Sequence, residues 1–435
     1  MLPNRRRMLG AIALPFVSAA CAPAAPLGAN KPPNLPKTRG AESDMVRDED
    51  YWAEVGRHFT MDRSIVNLNN GGVSPAPESV QAAMNRHVGF ANSAPPPYAL
   101  WEIAPPLREA VRRQLASQWG VDAEEIAITR NASEGLQICQ FGIDLGPGNE
   151  VLATTQDYPR MINTFRQRER REKIVLKQFD IPVPAEDTNQ LVSLYEANIT
   201  PKTKLVLVSH MINLTGQIMP VREIAAMARR RGIPTIVDGA HALAHFDFKL
   251  SDLDCDYYAT SLHKWLFAPH GTGLLYVRKS KIRSLWPLMA AHSDKDDDIR
   301  KFEEIGTHPE ANTLAIAEAL AFHQAIGGAR KEARLIHLRD LWCKRLLASG
   351  RVRLHTSLKA HPAKLACGIA TFQVEGIDPV KLQAYLWSEH RILTVAIVHQ
   401  QFQGVRVTPS VYTTPDEIDR FCSAVERVIA KGLPA

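Results

Sequence analysis

Short apolar runs rich in β-branched residues alternate along residues 126–262 with longer stretches in which apolar residues recur at helical spacing. Runs of this kind predict buried strands, and the stretches between them predict helices. A helix from about Pro105 to Trp119 is predicted from Leu107, Val111 and Leu115, which share one face. Strand–helix alternation predicts an α/β fold with a mostly parallel sheet covered by helices. The predicted strands are Ile126–Thr129, Glu150–Thr154, Ile174–Gln178, Leu205–Ser209, Thr235–Val237 and Tyr257–Leu262.

The pattern changes from about Asp294 onward. An acidic turn leads into long helices across 311–349, and short strands and hairpins precede a final helix at 415–431. This order predicts a second, smaller α+β domain, and 435 residues suffice for two domains. The predicted segments are a signal peptide at 1–24, a Pro-rich linker at 25–45, a large domain with an N-terminal arm at 46–293, and a small C-terminal domain at 294–435.

The N-terminus has the order of a bacterial export signal. Arg5–Arg7 supplies a twin arginine, an uncharged stretch of 13 residues follows at Met8–Ala20, and small residues come next. The order predicts a twin-arginine signal and a periplasmic protein, exported by the machinery that carries proteins already folded around a cofactor. The apolar stretch is too short for an anchor helix, which needs about 20 residues. A lipid anchor at Cys21 is the alternative.

Composition narrows the possible partners. The net charge is +6, and much of the basic excess lies in scattered clusters such as Arg229–Arg231. Such clusters are typical of solvated helix faces, so no nucleic-acid partner is predicted. The six cysteines are far apart in sequence, without the close pairs of a zinc site. We therefore predict no metal.

Two strand ends carry the candidate chemistry. The run Ile236-Val237-Asp238 delivers a carboxylate to a strand tip, and Lys264 follows the next strand after 264 − 238 = 26 residues. This pair suits pyridoxal phosphate, because the lysine can bind the cofactor covalently while the aspartate pairs with the pyridinium nitrogen. A surface lysine and a helix-capping aspartate are the alternative. The turn Asn131–Gly135 opens a helix whose free N–H groups predict a phosphate site, which is compatible with a plain capping role for Asn131 or Ser133.

Several motifs recur in order and resemble class V aminotransferases, a family of fold-type I pyridoxal-phosphate enzymes that contains cysteine desulfurases and isopenicillin N epimerase. The resemblance runs from about Asn67 to Arg427. It implies a large domain with a seven-stranded sheet, a small C-terminal domain, and pyridoxal 5'-phosphate as the cofactor. The motifs are Asn131–Gly135, Gln156–Pro159, Asn213–Gly216, Asp238–His241, Ser261–Lys264, Glu304–Thr307 and Gly404–Pro409.

The resemblance also implies a role for individual residues. It places four residues at the cofactor phosphate: Ala132, Ser133, Ser261 and His263. Around the cofactor ring it places Tyr158 on the face, Asn213 and His241 at the phenolic oxygen, Asp238 at the pyridine nitrogen and Lys264 in the covalent linkage. It also places Thr307 at the phosphate of the cofactor in the other subunit, and Arg406 at the substrate α-carboxylate. The role of Thr307 implies a homodimer with shared active sites. A planar guanidinium suits the role of Arg406, because it binds a carboxylate through two hydrogen bonds.

The chain departs from the desulfurases where they carry a nucleophilic cysteine. The corresponding stretch, Ile392–Gly404, has none, while Cys367 lies too early on a predicted strand and Cys422 too late on the last helix. We predict that both are buried, which disfavours persulfide chemistry. A Pro-rich, aromatic loop at 92–101 resembles relatives near isopenicillin N epimerase. Its Tyr98 and Trp101 are predicted to line the substrate pocket or, alternatively, to pack at the domain junction.

These residues start several reactions at Cα. A proton that Lys264 removes can return to Cα in epimerisation or to the cofactor in transamination, and loss of a β-substituent makes a lyase. A class V enzyme with a twin-arginine signal resembles the periplasmic enzymes that tailor the glutamyl side chain of pyoverdine-type siderophores. This side chain is the leading prediction for an amino-acid or peptide substrate. The alternatives are an exported relative of the epimerases and a non-catalytic cofactor-binding protein. The joint presence of Lys264, Asp238 and Arg406 argues against the last.

Overall fold

The structure is a computed structural model that describes Leu35, residues 45–359 and residues 364–434. The predicted signal peptide, including Arg5–Arg7 and Cys21, lies outside the described residues, as does nearly all of the predicted linker. Among the described residues, no helix is long and apolar enough to cross a membrane.

Thirteen strands are found in the part of the chain that the structure describes. In chain order, β1 to β13 are Val66–Asn67, Ile126–Thr129, Glu150–Thr154, Val175–Phe179, Thr203–Ser209, Thr235–Asp238, Tyr257–Ser261, Gly273–Val277, Val352–Leu354, Ala370–Val374, Ile392–Leu393, Val395–Val398 and Gln403–Val407. The α-helices are Glu49–Arg57, Glu78–Ser93, Pro96–Tyr98, Ala104–Trp119, Ala132–Gly142, Pro159–Glu172, Thr188–Asn198, Val221–Arg229, Leu250–Leu253, Lys279–Ile282, Glu310–Leu314, Ile316–Ile326, Gly328–Leu347, Pro379–His390 and Pro415–Lys431.

A seven-stranded sheet organises the larger part of the molecule, with the order β2-β8-β7-β6-β5-β3-β4. Neighbours from β7 to β4 run parallel, whereas β8 is antiparallel to both β2 and β7. Every residue of β6, β7 and β8 is buried, because helices cover both faces of the sheet. The predicted mostly parallel, helix-covered sheet is confirmed. The strand β8 was not among the strands predicted from the hydrophobic pattern.

The smaller part is built on a four-stranded antiparallel sheet of order β12-β13-β10-β9. Trp342, Phe372 and Phe421 form edge-to-face pairs in its core. The final helix, predicted at 415–431, is found at Pro415–Lys431 and begins with a capping box formed by Thr414 and Glu417. These elements confirm the predicted α+β organisation of the C-terminal part.

The segment Val66–Asn69, which precedes the strands of the large sheet, pairs with strands of the C-terminal part. Strand β1 pairs in parallel with β11, and Asn69 forms a bridge with Thr408. Val66 and Leu68 belong to the same apolar core as Trp342 and Phe372. The N-terminal arm therefore reaches the strand that carries Arg406, and this crossing brings distant parts of the chain to one site.

Candidate functional site

Ten of the thirteen predicted site residues meet in a cavity of about 410 Å³ at the carboxyl ends of the parallel strands. Ligands of open α/β sheets bind at this edge, because loops and helix N-termini converge there. Ten predicted residues line it: Ala132, Ser133, Tyr158, Asn213, Asp238, His241, Ser261, His263, Lys264 and Arg406.

Asp238 is the last residue of β6, and its carboxyl group faces the cavity while it is only 6% exposed. The Ala240 N–H donates a hydrogen bond of 3.0 Å to Asp238 Oδ1. Burial raises the pKa of Asp238, while this hydrogen bond and the charge of Lys264 oppose the rise. The cavity thus contains a largely desolvated carboxyl group. Such a group is suited to bind a cationic group of a ligand.

Lys264 follows β7 in the turn that begins at Leu262, and its Nζ lies 3.1 Å from His241 Nε2. Burial lowers the pKa of Lys264 to about 8, with Asp238 raising it and Arg406 lowering it. Burial also holds the pKa of His241 well below its usual range, so this imidazole is neutral. A substantial fraction of the lysine amine is therefore neutral near pH 8 and available as a nucleophile or base.

The first turn of the helix Ala132–Gly142 forms the candidate phosphate site. The Asn131 side chain caps the helix by accepting from the Glu134 N–H at 2.9 Å, and the Ala132 N–H donates to Ser261 Oγ at 3.0 Å. His263 Nδ1 lies 3.0 Å from the Thr272 carbonyl oxygen, which fixes the orientation of the ring. Burial lowers the pKa of His263 to about 4. Amide, hydroxyl and imidazole groups thus converge at a helix N-terminus, as an anion requires.

Arg406 on β13 is held by two hydrogen bonds to other parts of the chain. Its Nη1 donates to the Asn213 carbonyl oxygen at 2.8 Å, and its Nη2 donates to Asn69 Oδ1 at 3.1 Å. Its Nε is buried and has no partner among the described residues. Burial lowers the pKa of Arg406 to about 10, so the guanidinium stays charged at neutral pH. The two hydrogen bonds fix the orientation of the Arg406 guanidinium, and its Nε remains available as a donor to a ligand.

Asn213 and Tyr158 are also placed at the cavity. Asn213 begins a turn that closes with Gly216, whose φ of +75° and close approach to the Ile369 carbonyl favour glycine. Tyr158 precedes the helix Pro159–Glu172 and is 40% exposed, which places it at the mouth of the cavity. The contacts of Asn213 and Tyr158 with the cofactor ring remain predictions.

The residues that line the cavity fit pyridoxal phosphate, because some of their buried polar atoms have no hydrogen-bond partner within the described part of the chain. The Nδ1 of His241 and the Nε of Arg406 are both buried without partners among the described residues, and Asp238 receives one hydrogen bond there. Unpaired buried polar groups are costly, and two such atoms on residues that line one cavity indicate a polar ligand. Lys264 would hold the aldehyde, Asp238 the ring nitrogen, and Ser261 with the helix N-terminus the phosphate.

Thr307, Trp101 and Tyr98 lie away from this cavity within one chain. Thr307 and Trp101 line a separate cavity of about 450 Å³, together with Glu304 and Arg108. Trp101 is 65% exposed and Tyr98 is 52% exposed. Neither aromatic residue lines the Lys264 cavity. Their predicted roles at an active site are therefore possible only across a subunit interface.

Sequence reasoning missed several residues at the Lys264 cavity. Gly71 and Gly72 line it, and the Gly71 N–H donates to Thr408 Oγ1 at 3.0 Å. A Cβ on Gly71 would lie 3.2 Å from the Thr408 methyl group and 3.5 Å from the His241 ring. The sequence signal was the glycine turn after Val66, but nothing in the local pattern shows that this turn meets β13.

Asp157 is a second residue that was missed. Its buried carboxylate accepts hydrogen bonds from the N–H and hydroxyl of Thr154, at 2.7 and 2.9 Å, and from the N–H and hydroxyl of Ser209, at 3.1 and 2.7 Å. Burial raises its pKa to about 6 despite these four donors. Asp157 joins the ends of β3 and β5, and so positions Ser209 and Tyr158, which line the cavity.

The predicted burial of two cysteines is confirmed. Cys367 and Cys422 are fully buried, and burial raises the pKa of both thiols to about 12. Cys422 lies on the last helix, as predicted. Cys367 was predicted on a strand, but β10 begins only at Ala370. Cys367 instead contacts the core of the large sheet, so neither thiol is available as a nucleophile.

Comparisons with known proteins show the family of this chain. Residues 66–421 match the family model described as Aminotransferase class-V. Isopenicillin N epimerase from Streptomyces clavuligerus is 31% identical over 396 residues, which cover 86% of this chain and 98% of that protein. Hercynylcysteine sulfoxide lyase from Schizosaccharomyces pombe is 23% identical and covers 87% of this chain and 100% of that protein.

Solved structures support the same fold. The cystine C–S lyase C-DES in complex with its reaction product cysteine persulfide is 25% identical, with a TM-score of 0.73, over 82% of this chain and 96% of that chain. A cysteine desulfurase from Thermococcus onnurineus NA1, at 21% identity and a TM-score of 0.72, covers 87% of this chain and 98% of that chain. With the match of the family model over 66–421, the chain belongs to the class-V aminotransferase family and is a pyridoxal-phosphate-dependent enzyme.

Proposed function

We propose that this enzyme is exported to the periplasm and removes the Cα proton of an amino acid or amino-acyl side chain, with the glutamyl side chain of a pyoverdine-type siderophore as the leading substrate. The observation that carries the proposal is the convergence of Lys264, Asp238 and Arg406 on one cavity. A non-catalytic cofactor-binding protein has no physical need for a lysine of lowered pKa beside a buried carboxylate and a buried guanidinium.

Each residue has a defined task in this chemistry. Arg406 binds the α-carboxylate and so fixes the direction of the Cα–H bond. Lys264 takes the proton from Cα, which is favoured because burial lowers the pKa of its amine to about 8. Asp238 keeps a proton on the ring nitrogen. The bound cofactor supplies an electron sink that weakens the bonds at Cα.

Several reactions can follow proton removal at Cα. Relatives include isopenicillin N epimerases, a hercynylcysteine sulfoxide lyase and probable cysteine desulfurases. The buried Cys367 and Cys422, together with the absence of cysteine from 392–404, disfavour a persulfide mechanism. An amino-acid epimerase of the isopenicillin N epimerase type is the second candidate, supported by the 31% identity to that enzyme. An aminotransferase or C–S lyase uses the same first step.

A homodimer with shared active sites is part of the proposal. Thr307 and Trp101 share a cavity that contains no Lys264, and the exposed Trp101 side chain is large and apolar. A second copy of the chain that brings this loop to the neighbouring Lys264 cavity explains both observations. The twin arginine at Arg5–Arg7 supports export.

Proton exchange in D2O tests the proposed chemistry. The cofactor-loaded protein is expected to replace the Cα proton of L-glutamate with deuterium, detected by NMR, whereas Lys264→Ala is not. A matched Cys367→Ala/Cys422→Ala variant is expected to retain the exchange. Absence of exchange in the wild type, or its loss in the cysteine variant, would contradict the proposal.

A second experiment tests the specific substrate. Periplasmic extract containing the wild-type enzyme is expected to change the mass of a pyoverdine precursor at its glutamyl side chain, and extract containing Lys264→Ala is not. An unchanged precursor in both extracts would leave Cα chemistry standing and refute the siderophore assignment.

A further inference from the structure

We infer that His245 is a positioning residue for the attachment of the cofactor, because it connects the turn that carries His241 to the segment that carries Lys264. His245 is fully buried and does not line the Lys264 cavity. It therefore acts through its neighbours and not through contact with a ligand. The inference goes beyond the proposed function, since it concerns cofactor attachment and holds for any substrate.

Two hydrogen bonds fix the tautomer and the orientation of the His245 ring. Its Nε2 accepts from the Gly368 N–H at 3.0 Å, and its Nδ1 lies 2.8 Å from the His241 carbonyl oxygen. A carbonyl oxygen can only accept, so the proton of the neutral ring is on Nδ1. Burial lowers the pKa of His245 to about 3, which keeps the ring neutral at neutral pH. The ring thus joins the His241 turn to the segment that precedes β10.

The face of the His245 ring contacts the residue that follows Lys264. The rings of His245 and Trp265 are stacked, with centroids 3.6 Å apart and planes inclined by 16°. Both side chains are fully buried. Interiors are closely packed, so the Trp265 ring cannot shift without displacing His245. Because Trp265 directly follows Lys264, the stack limits movement of the Lys264 backbone.

The turn between His241 and His245 needs such a restraint. Ala244 has a φ of +61°, in the left-handed region that is unfavourable for a residue with a Cβ. The hydrogen bond from His245 to the His241 carbonyl closes this turn. On the cavity side, His241 Nε2 lies 3.1 Å from Lys264 Nζ. His245 therefore restrains both partners of this contact, one through a hydrogen bond and the other through Trp265.

Loading of the apoprotein with pyridoxal phosphate tests the inference. Attachment joins Lys264 Nζ to the aldehyde carbon with loss of water, and stopped-flow absorbance over a range of cofactor concentrations separates this step from binding. His245→Phe keeps a ring beside Trp265 but removes both hydrogen bonds. It is expected to lower the saturating rate constant about 10-fold, the effect of one lost hydrogen bond. The half-saturating cofactor concentration should stay unchanged, because the candidate phosphate site is not altered.

His245→Asn distinguishes positioning from a purely structural role. The asparagine side chain keeps a donor in place of Nδ1 and is expected to retain a saturating rate constant close to that of the wild type. It also leaves a cavity beside Trp265, so it should unfold at a lower denaturant concentration than His245→Phe. A purely structural residue would give the opposite order of rates, with attachment slowest in the less stable His245→Asn.

His323→Phe is the matched control, because His323 is also buried and stacked on a tryptophan, Trp119, but does not line the Lys264 cavity. Its rate constant should equal that of the wild type. If His245→Phe yields no folded apoprotein, His245→Leu replaces it with the same expectation. Attachment at the wild-type rate without the two hydrogen bonds, or equal slowing in His245→Asn, would overturn the inference. No amino acid is present, so the proposed function stands or fails separately.

Discussion

At the scale of single residues, burial and two charged neighbours set the pKa of the Lys264 amine. Burial lowers the pKa of its amine to about 8, Asp238 acts to raise it, and Arg406 acts to lower it. In the proposed function, Lys264 removes the proton, Asp238 binds the ring nitrogen and Arg406 binds the α-carboxylate. If these roles hold, the two groups that bind cofactor and substrate also set the pKa of the proposed general base.

A pH dependence of cofactor loading follows from this arrangement. The neutral lysine amine attacks the aldehyde, so the loading rate of the apoprotein should rise with pH and level off above about pH 8. Arg406→Gln removes a positive charge, which raises the pKa of Lys264 and moves the profile to higher pH. Stopped-flow absorbance measures both proteins. Protonation of the free cofactor affects the wild type and Arg406→Gln equally. Identical pH profiles of the loading rate for the two proteins would therefore contradict the electrostatic role of Arg406.

At the scale of elements, the site depends on turns that bring strand ends together. The turn Asn213–Gly216 supplies the carbonyl oxygen that orients Arg406, and it packs against the segment that precedes β10. Gly216 has a φ of +75°, and a Cβ there would lie 2.2 Å from the Ile369 carbonyl oxygen. This contact allows only glycine, because backbone rather than a mobile side chain occupies the space.

Gly216→Ala is therefore expected to lower the free energy of unfolding by about 2 kcal/mol or more, through strain at a positive φ and a backbone clash. Denaturant unfolding of the cofactor-loaded protein measures the change. Gly146→Ala serves as the control, since its nearest neighbour would be the Asn149 side chain at 3.9 Å. Equal stability of both variants would show that the Asn213–Gly216 turn is not tightly constrained.

The strands and much of the site could be predicted because their signals are local. Buried strands appear as β-branched runs, and Asp238 and Lys264 stand at the ends of such runs. The strand β8 was not predicted from the pattern, since the run Gly273–Val277 contains a single β-branched residue, Val277. Asn69, Gly71 and Asp157 act through contacts with Arg406, Thr408 and Ser209, respectively. Contacts across such separations depend on the tertiary arrangement, which the local pattern does not encode.

The whole molecule combines parts of the chain that the sequence separates. The N-terminal segment joins the C-terminal part through the two-stranded sheet of β1 and β11, while Thr307 and Trp101 line a second cavity. The first of these connections places Asn69 beside Arg406. Because Thr307 lies in the second cavity, its predicted contact with a cofactor requires the cofactor of a neighbouring subunit. Cofactor binding and dimerisation should therefore be linked.

Thr307→Val tests that linkage. The variant is expected to remain a dimer in sedimentation velocity but to lose cofactor faster on dialysis than the wild type, because a hydroxyl contact to the phosphate is removed. Ser293→Ala is the control, because Ser293 begins a short 3-10 helix, Ser293–Lys295, and lines neither cavity. Unchanged cofactor retention by Thr307→Val, or a monomeric wild type, would refute the shared site.

Export is the remaining property of the whole chain. Replacement of Arg5, Arg6 and Arg7 by lysine is expected to retain folded, cofactor-loaded precursor in the cytoplasm, because the twin-arginine route requires the arginine pair. Cell fractionation with immunodetection measures the distribution. A normal periplasmic fraction of the triple variant would contradict this route, since a general secretory signal tolerates lysine.

The covalent attachment of the cofactor tests the account most directly. Borohydride reduction of the cofactor-loaded protein, followed by proteolysis and mass spectrometry, is expected to find the reduced cofactor on the peptide that contains Lys264. Lys264→Ala should yield no modified peptide, while Lys331→Met, which replaces another buried lysine near Trp265, should retain the modification at Lys264. Cofactor fixed to a different lysine in the wild type, or still fixed in Lys264→Ala, would contradict the assignment of the active site.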